Sequence, residues 1–375
     1  MRIVSVVGTR PQLIKAAALS PVLRERHDEI LVDTGQHYDD SLAGSFFREL
    51  GLAAPDHELG VGGGTHAEQT AAMLAGLEPV LVDRRPDLVL VYGDTNSTLA
   101  GALVAAKLGL PVAHVEAGLR SFDRRMPEEI NRVLVDHLSR WLFVPTPVAV
   151  DNLRAEGITD GVVLVGDLMQ DLAARVGREI VHPSVLRDIS TRLSDPGPGI
   201  ELRPGGYLFA TIHRAENREP ASIRVWSELL GEIASPDRPV ILALHPGTRW
   251  ALERDGTVLS SDVRVVEPQG YRTSLALQLH AAAVLTDSGG VQREAAWLGV
   301  PCLVLRSTTE WTEAVAASNG RMVIVGLDTA RALEALGRLA LPHRAPELAR
   351  ERAAALALEP AGAAEAIAAV LAGGR

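Results

Sequence analysis

Residues 88–98 read LVLVYGDTNST, and residues 112–120 read VAHVEAGLR. Each stretch begins with four or five mostly apolar, β-branched-rich residues, the pattern of a strand that is buried on both faces. Each then changes to a loop with glycine and a carboxylate, Asp94 in the first and Glu116 in the second. Buried strands that end in polar loops are typical of a parallel sheet covered by helices.

The same alternation of short strands and longer helical segments continues along the whole chain. Amphipathic segments such as Ala67–Val82 and Glu128–Arg140 have apolar residues at helical spacing. The pattern therefore predicts an α/β protein with doubly wound, Rossmann-like parallel sheets. The predicted strands are Ile3–Val7, Ile30–Asp33, Leu88–Tyr92, Val112–Val115, Leu142–Val144, Val162–Val165, Tyr207–Ile212, Val240–Leu244, Val263–Val266, Ala283–Thr286, Cys302–Leu305 and Met322–Val325.

The chain has 375 residues, which is more than one hydrophobic core usually serves, so we expect two domains. Between Gly166 and Gly205 the strand pattern stops and Pro and Gly become frequent. We place the boundary near residue 170, with domains 1–170 and 171–375. The segment Glu347–Leu371 is Ala-rich and predicts helix, which allows the last helix to pack back on the first domain.

Composition excludes several classes of protein. Lys and Arg number 37 against 47 Asp and Glu, a net charge of −10 that argues against a nucleic-acid-coating protein. The single cysteine, Cys302, excludes a disulfide framework, and the eleven His include no H-E-x-x-H metal motif. The apolar run at the N-terminus is too short for a signal peptide, and no stretch resembles a membrane span. We expect a cytoplasmic protein that binds neither membrane nor metal.

The loop after the first strand contains Arg10, and Lys15 lies one turn into the following helix. A helix N-terminus with two nearby cations suits a phosphate, although an ordinary strand-to-helix turn explains the segment equally well. No G-x-G-x-x-G follows the strand, and no Walker motif occurs anywhere in the sequence.

Three carboxylates follow successive strands of the first half: Asp94, Glu116 and Glu128. Taken singly, Asp94 is expected to be a helix cap, Glu116 a solvated loop residue and Glu128 an acid favoured by the helix dipole. Taken together they suggest a general acid/base set, because clustered carboxylates raise one another's pKa toward the range useful for proton transfer.

In the second half His213 follows one strand, and Ser288-Gly289-Gly290 follows another and opens a helix. Exposed backbone N–H groups at such a turn form an anion nest, with a plain glycine turn as the alternative. Glu294 lies one turn further along. The combination suggests a nucleotide diphosphate-sugar site, with the diphosphate at the nest and a ribose diol on Glu294.

These residues resemble the non-hydrolysing UDP-N-acetylglucosamine 2-epimerases, a family that shares its two-domain fold with the GT-B glycosyltransferases. The likeness covers nearly the whole chain. Its motifs are Gly8-Thr9-Arg10-Pro11, Thr34-Gly35-Gln36-His37, Gly93-Asp94-Thr95-Asn96-Ser97-Thr98, His114-Val115-Glu116-Ala117-Gly118-Leu119-Arg120, Pro127-Glu128-Glu129 and Thr286-Asp287-Ser288-Gly289-Gly290.

The resemblance implies that UDP is eliminated from the sugar to leave a 2-acetamidoglucal, which is reprotonated at C2 on the other face before UDP returns. It implies two domains facing a cleft, no cofactor and a homodimer. Acid/base and diphosphate roles fall on Asp94, Glu116, Glu128 and His213. Nucleotide-binding positions fall on Arg10, Lys15, Gln269, Ser288, Gly289, Gly290 and Glu294.

Some positions depart from the family pattern. Trp311-Thr312 stands where many members have Arg-Pro, and Ser274 replaces a frequent aromatic residue. With Trp311 at this position, the sequence looks more like a branch of the family that includes epimerases of UDP-2,3-diacetamido uronic acids. Some bacterial members of the family that this sequence resembles bind an effector through an Arg-Gln pair. Gly63 and Gly64 occupy the place of that pair and offer no side chain, which predicts that this protein needs no effector.

Three other functions stay open from the sequence. Water could capture the glucal, so that free N-acetylmannosamine and UDP leave, as in a hydrolysing epimerase. A GT-B glycosyltransferase would need an acceptor pocket instead of grouped carboxylates. A nucleotide sensor would have no use for the acid/base residues.

Overall fold

The computed structural model describes residues 1–36, 47, 49–193, 201–309, 311–339 and 362–373. His37 of one family motif, Glu310 before Trp311 and most of the predicted helical segment Glu347–Leu371 lie outside the described residues. The chain divides into two compact units. One consists of Met1–Leu172 and Pro360–Arg375, and the other of Ala173–Glu359. The assignment of activities to domains 1–170 and 171–375 stays a prediction.

The first unit contains a parallel sheet of seven strands in the order β3-β2-β1-β4-β5-β6-β7. Its inner strands are apolar and buried on both faces, as shown by the successive residues Val89 and Leu90 of β4. Its strands are β1 Arg2–Val7, β2 Asp28–Asp33, β3 His57–Glu58, β4 Leu88–Tyr92, β5 Val112–Val115, β6 Trp141–Val144 and β7 Val162–Leu164.

The second unit contains a parallel sheet of six strands in the order β10-β9-β8-β11-β12-β13. Its core is built on Trp226, which is completely buried, and on the apolar residues of the central strands. Its strands are β8 Leu208–Ile212, β9 Val240–Leu244, β10 Val263–Val266, β11 Ala283–Thr286, β12 Cys302–Val304 and β13 Met322–Ile324.

Every predicted strand is present to within two residues at each end, which confirms the doubly wound α/β fold. The prediction missed β3, whose two residues are both polar and carry no apolar pattern. The α-helices of the described residues, numbered here α1 to α14 in chain order, are Arg10–Arg24, His66–Arg84, Asn96–Lys107, Pro127–Leu138, Pro147–Ala155, Leu168–Ile180, Val185–Leu193, Pro220–Ile233, Pro246–Asp255, Tyr271–His280, Gly289–Trp297, Thr312–Ala317, Thr329–Arg338 and Ala363–Gly373. None of those in the described ranges combines the length and apolar composition that a membrane crossing needs.

The C-terminal helix α14 packs on α1 in the first unit. The Asp171 carboxylate accepts hydrogen bonds from the backbone N–H groups of Gly362 and Ala364, each at 2.9 Å. Backbone N–H groups at the beginning of a helix have no hydrogen-bond partner within that helix. One carboxylate therefore holds the beginning of the last helix against the first unit.

Candidate functional site

Several predicted site residues lie at the carboxyl ends of strands at or next to the point where each sheet reverses its order. In the first sheet β1 lies between β2 and β4, and in the second sheet β8 lies between β9 and β11. Open α/β sheets bind ligands outside the carboxyl ends of the strands at such a switch point. Asp94 follows β4 and Glu116 follows β5 in the first unit, whereas His213 follows β8 and Ser288 follows β11 in the second.

The Asp94 carboxylate pairs with the Arg132 guanidinium of α4. The interpretation of Asp94 as a helix cap is wrong, because Thr95 is the N-cap of α3 and its hydroxyl accepts a hydrogen bond from the Thr98 backbone N–H at 3.4 Å. The cap falls one residue later than predicted. The Asp94 side chain does not cap α3 and instead pairs with Arg132 of α4.

Glu116 has a φ angle of +70°, a backbone conformation that residues other than glycine rarely adopt. Its carboxylate forms an ion pair with Lys15, and the two side chains are 12% and 6% exposed. The interpretation of Glu116 as a solvated loop residue is therefore wrong. Lys15, predicted to bind phosphate, makes its charged contact with a carboxylate from a different strand end.

Arg132 links the carboxylates of the first unit. Besides Asp94 it pairs with Glu129, which is 2% exposed. Burial lowers the pKa of Arg132, but the charges of Asp94, Glu129 and Glu116 outweigh burial and raise it. Sequence reasoning did not select Arg132 as a site residue, although the spacing of Glu129 and Arg132 is that of an i,i+3 ion pair on a helix.

Glu128 and its neighbour Glu129 differ in their surroundings. The Glu129 carboxylate accepts hydrogen bonds from the backbone N–H groups of Ser121 at 2.9 Å and Phe122 at 3.0 Å. Burial raises the pKa of Glu129, but these bonds and the Arg132 charge outweigh burial and lower it. Glu128 is exposed in the first turn of α4, and within the described part of the chain no hydrogen bond or ion pair holds its carboxylate. Glu128 is thus free to meet a ligand, whereas Glu129 holds the preceding loop.

Two of the candidate acid/base carboxylates of the first unit each lie beside a cation. Arg132 adjoins Asp94, and Lys15 adjoins Glu116. These pairs could not be predicted from the sequence, because a local motif does not show the cations that distant segments bring.

In the second unit the His213 ring is oriented by Asp287. Its Nδ1 lies 2.8 Å from Asp287 Oδ1, and Asp287 is completely buried while His213 is 44% exposed. Asp287 also accepts hydrogen bonds from the backbone N–H of Arg214 at 3.0 Å and from Asn217 Nδ2 at 2.8 Å. Burial raises the pKa of Asp287, but the His213 bond and charge and the other donors outweigh burial and lower it.

An ionised Asp287 can only accept, so the proton between the two residues sits on His213 Nδ1. His213 Nε2 is then the nitrogen that can meet a ligand. The sequence identifies Asp287 as part of a motif and not as a candidate site residue. Asp287 and His213 are 74 residues apart in the sequence, and the pairing of β8 with β11 brings them together.

The Ser288-Gly289-Gly290 turn opens α11, and the Ser288 hydroxyl accepts a hydrogen bond from the Val291 N–H at 3.4 Å. A Cβ atom added at Gly289 would lie 2.9 Å from Nε1 of the Trp311 indole. The Arg293 guanidinium stacks on the Trp311 ring at 4.0 Å from its centroid. The turn predicted as an anion nest is thus covered on one side by an indole.

The remaining predicted site residues are Glu294, Gln269 and Arg10. Glu294 is buried and accepts a hydrogen bond from Gln278 Nε2 at 2.7 Å. Gln269 Nε2 donates to the Glu267 carbonyl oxygen at 2.5 Å. Arg10 is exposed at the first position of α1. Across the described ranges, no group of three or more His, Cys, Asp or Glu side chains could hold a metal ion.

Comparison with known proteins identifies similar chains over nearly the full length. The family model for "UDP-N-acetylglucosamine 2-epimerase" matches residues 22–372. A UDP-2,3-diacetamido-2,3-dideoxy-D-glucuronate 2-epimerase of Pseudomonas aeruginosa is 46% identical over 332 residues, which cover 87% of this chain and 88% of that protein. A UDP-N-acetylglucosamine 2-epimerase of Methanocaldococcus jannaschii is 39% identical over 90% of this chain and 91% of that protein.

Solved structures agree with the sequence comparison. The crystal structure of the M. jannaschii UDP-GlcNAc 2-epimerase in complex with UDP-GlcNAc and UDP has a TM-score of 0.81 and 37% identity, covering 99% of both chains. The Neisseria meningitidis enzyme bound to UDP-GlcNAc has a TM-score of 0.82 and 31% identity, again over 99% of both chains. A calicheamicin glycosyltransferase, 18% identical with a TM-score of 0.54, shares the fold alone. These likenesses support the prediction of a GT-B-like fold.

Proposed function

Because this chain belongs to the UDP-N-acetylglucosamine 2-epimerase family, we propose that it interconverts the C2 epimers of a UDP-2-acetamido sugar without hydrolysing it. The observation that carries the proposal is the pair of carboxylates on neighbouring strand ends, Asp94 and Glu116, each beside its own cation and connected electrostatically by Arg132. A carboxylate held near a C–H group can accept its proton as a general base while a leaving group departs from the neighbouring carbon.

In the proposed reaction one carboxylate removes the C2 proton while the C1–O bond to UDP breaks, which leaves a 2-acetamidoglucal and UDP. A carboxylic acid then returns a proton to C2 from the opposite face, and UDP re-adds at C1, so that no atom is lost. Asp94, Glu116 and Glu128 supply these carboxyl groups.

UDP leaves as an anion and must be held until it re-adds. His213 Nε2 and the backbone N–H groups at Ser288-Gly289-Gly290 are the groups of the second unit proposed to hold its diphosphate. Fixed donors directed at developing negative charge lower the barrier because they need no reorganisation during the reaction. Arg10, Gln269 and Glu294 are proposed to contact the rest of the nucleotide.

The first candidate substrate is UDP-N-acetylglucosamine, which would give UDP-N-acetylmannosamine. The second is a UDP-2,3-diacetamido uronic acid, which is favoured by the 46% identity to the P. aeruginosa enzyme and by Trp311 beside the glycine turn. The ratio of kcat/KM for the two UDP-sugars decides between them. Each is supplied as sole substrate at equal enzyme concentration.

The reaction is tested by incubating the protein with each UDP-sugar in D₂O, without NAD, and following C2 and the anomeric proton by NMR. We expect two epimers that both acquire deuterium at C2. Retention of all C2 hydrogen during turnover would contradict the elimination. Free N-acetylmannosamine and UDP would indicate a hydrolysing enzyme, and reaction only with an added sugar acceptor would indicate a glycosyltransferase.

Variants of the acid/base residues test the assignment to this site. Asp94→Asn, Glu116→Gln, Glu128→Gln and His213→Asn should each lower kcat by about 10² or more, the scale for losing a positioned proton-transfer or charge-stabilising group. The matched control is Asp28→Asn, because the exposed residues Asp28 and Arg2 begin β2 and β1 and pair at the opposite end of the same sheet. Equal loss of activity in the control would show that the effect is not specific to the site.

A further inference from the structure

His114 is a completely buried histidine of β5 that lies between the two turns carrying Asp94 and Glu116. Its Nε2 lies 2.6 Å from the carbonyl oxygen of Gly93, the residue before Asp94. Its Nδ1 lies 2.7 Å from Oδ1 of Asp136. Neither Gly93 nor Asp136 belongs to β5, so one ring connects three segments of the chain.

Both neighbours of the ring are hydrogen-bond acceptors. A carbonyl oxygen can only accept, so Nε2 must carry a hydrogen. Asp136 is held as a carboxylate, because Oδ2 accepts from the Arg120 guanidinium at 2.7 Å and from the Gly118 backbone N–H at 3.1 Å. Burial raises the pKa of Asp136, but the charges and hydrogen bonds of His114 and Arg120 outweigh burial and lower it. Nδ1 must therefore carry a hydrogen as well.

The surrounding charges balance a positive ring. Arg120 makes two hydrogen bonds of 2.7 Å to Glu156, so two cations, His114 and Arg120, face two anions, Asp136 and Glu156. A buried charge is tolerated when it is paired and fully hydrogen-bonded. His137, on the outer side of Glu156, is half exposed and lies 3.8 Å from that carboxylate.

His114 and Asp136 both make hydrogen bonds to the backbone of the turns that carry Asp94 and Glu116. His114 holds the Gly93 carbonyl, which precedes Asp94. Asp136 holds the N–H of Gly118, two residues after Glu116. At Gly118, where φ is +77°, a Cβ atom would lie 2.5 Å from the Ala149 carbonyl oxygen, so no side chain fits at this position of the turn.

We propose that His114 is a positioning residue, kept as an imidazolium, which together with Asp136 sets the separation of the Asp94 and Glu116 carboxylates. Its charge state follows from the contacts alone, whereas its effect on turnover rests on the proposed function. A misplacement of about 1 Å in a reacting group can cost about 10²-fold in rate. Removing either hydrogen bond should therefore act on kcat through the two carboxylates.

The charge state is tested by NMR on protein labelled with ¹⁵N at histidine, at a pH above the ordinary histidine pKa of about 6.5. The His114 signals are identified by their absence from His114→Gln. We expect both ring nitrogens of His114 to carry hydrogen. One protonated and one bare nitrogen would overturn the imidazolium, whether or not the protein is an epimerase.

The positioning role is tested by comparing His114→Gln with His280→Gln. His280 is an equally buried histidine of the second unit whose Nε2 bonds to the Ile180 carbonyl oxygen at 2.9 Å. We expect His114→Gln to lower the C2 exchange rate by about 10² with an unchanged Kd for UDP. His280→Gln should lose stability without that loss of kcat.

Two outcomes would overturn the positioning role: equal losses of kcat in both variants, or a change in KM alone for His114→Gln. If His114→Gln does not fold, Asp136→Asn is measured in its place, because it keeps a side-chain oxygen toward Nδ1. Wild-type protein that exchanges no C2 hydrogen on any UDP-sugar would instead contradict the proposed function and leave the NMR result standing.

Discussion

A Cβ atom at Gly93 would lie 3.4 Å from Oε2 of Glu116 and 3.5 Å from Nζ of Lys15. Gly93 also has a φ angle of +64°. The residue before one candidate catalytic carboxylate is therefore in contact range of the ion pair that holds the other. The close approach couples the two strand ends without any side chain at position 93.

Gly93→Ala should lower both stability and activity. A non-glycine residue at positive φ costs about 1 to 2 kcal/mol, and the methyl group would come into van der Waals contact with the Lys15–Glu116 pair. Gly109→Ala is the matched control, because Gly109 has a φ angle of +71° with nothing within 4 Å of its Cβ position. We expect similar losses of melting temperature in both variants and a loss of kcat only in Gly93→Ala. A similar loss of kcat in both would contradict the coupling.

Lys15→Met distinguishes two roles for the lysine. If Lys15 serves Glu116, as their ion pair indicates, the variant lowers kcat and leaves the Kd for UDP unchanged. If Lys15 binds phosphate, the Kd for UDP rises. Calorimetric titration with UDP and steady-state rates on the same preparation separate these results. Leu13→Met, a buried change elsewhere on α1, is the control for packing.

Gly289→Ala should weaken the binding of UDP. The added methyl group would lie 2.9 Å from Trp311 Nε1, so the indole or the turn must move. Gly337→Ala is the control, because nothing lies within 4 Å of its Cβ position in helix α13 and alanine stabilises a helix by about 1 kcal/mol over glycine. Isothermal titration should show a larger Kd for Gly289→Ala only. An unchanged Kd would argue against a diphosphate at this turn.

Stability should fall in acid because of Asp136 and Asp287, whose pKa values are lowered in the folded protein. A lowered pKa contributes stability above the unfolded value of about 3.9, and the contribution is lost as the pH falls through the folded value. Asp33 has the opposite sign, because burial raises its pKa. We expect the melting temperature to fall below about pH 4, less steeply in Asp287→Asn and more steeply in Asp33→Asn. A melting temperature independent of pH in that range would refute the prediction.

Epimerisation should need no effector. Gly63 and Gly64 have φ angles of +71° and +80°, and as glycines they offer no side chain to hold a second nucleotide sugar. We expect the reaction from pure UDP-N-acetylmannosamine to start without a lag. A lag that a trace of UDP-N-acetylglucosamine removes would show that an effector binds elsewhere.

Local patterns predicted the elements and the family because both depend on short-range properties. Buried strands such as Leu88–Tyr92 need continuous apolar residues, and the loops after them carry the motifs. The same local view misassigned Asp94 as a cap. Asp94 and Thr95 are both good caps by residue type, and only the backbone path shows that Thr95 holds the start of α3.

The sequence by itself determined the two doubly wound sheets, the membership of the epimerase family and the strand ends where the polar residues lie. Only the tertiary structure decided which charges meet there. Lys15 and Glu116 are 101 positions apart, and Asp94 and Arg132 are 38 apart. The physical reason is that parallel pairing brings the ends of β1, β4 and β5 to one edge of the sheet. A local motif does not show which strand will lie beside it, and therefore does not show whether the neighbouring charge is positive or negative.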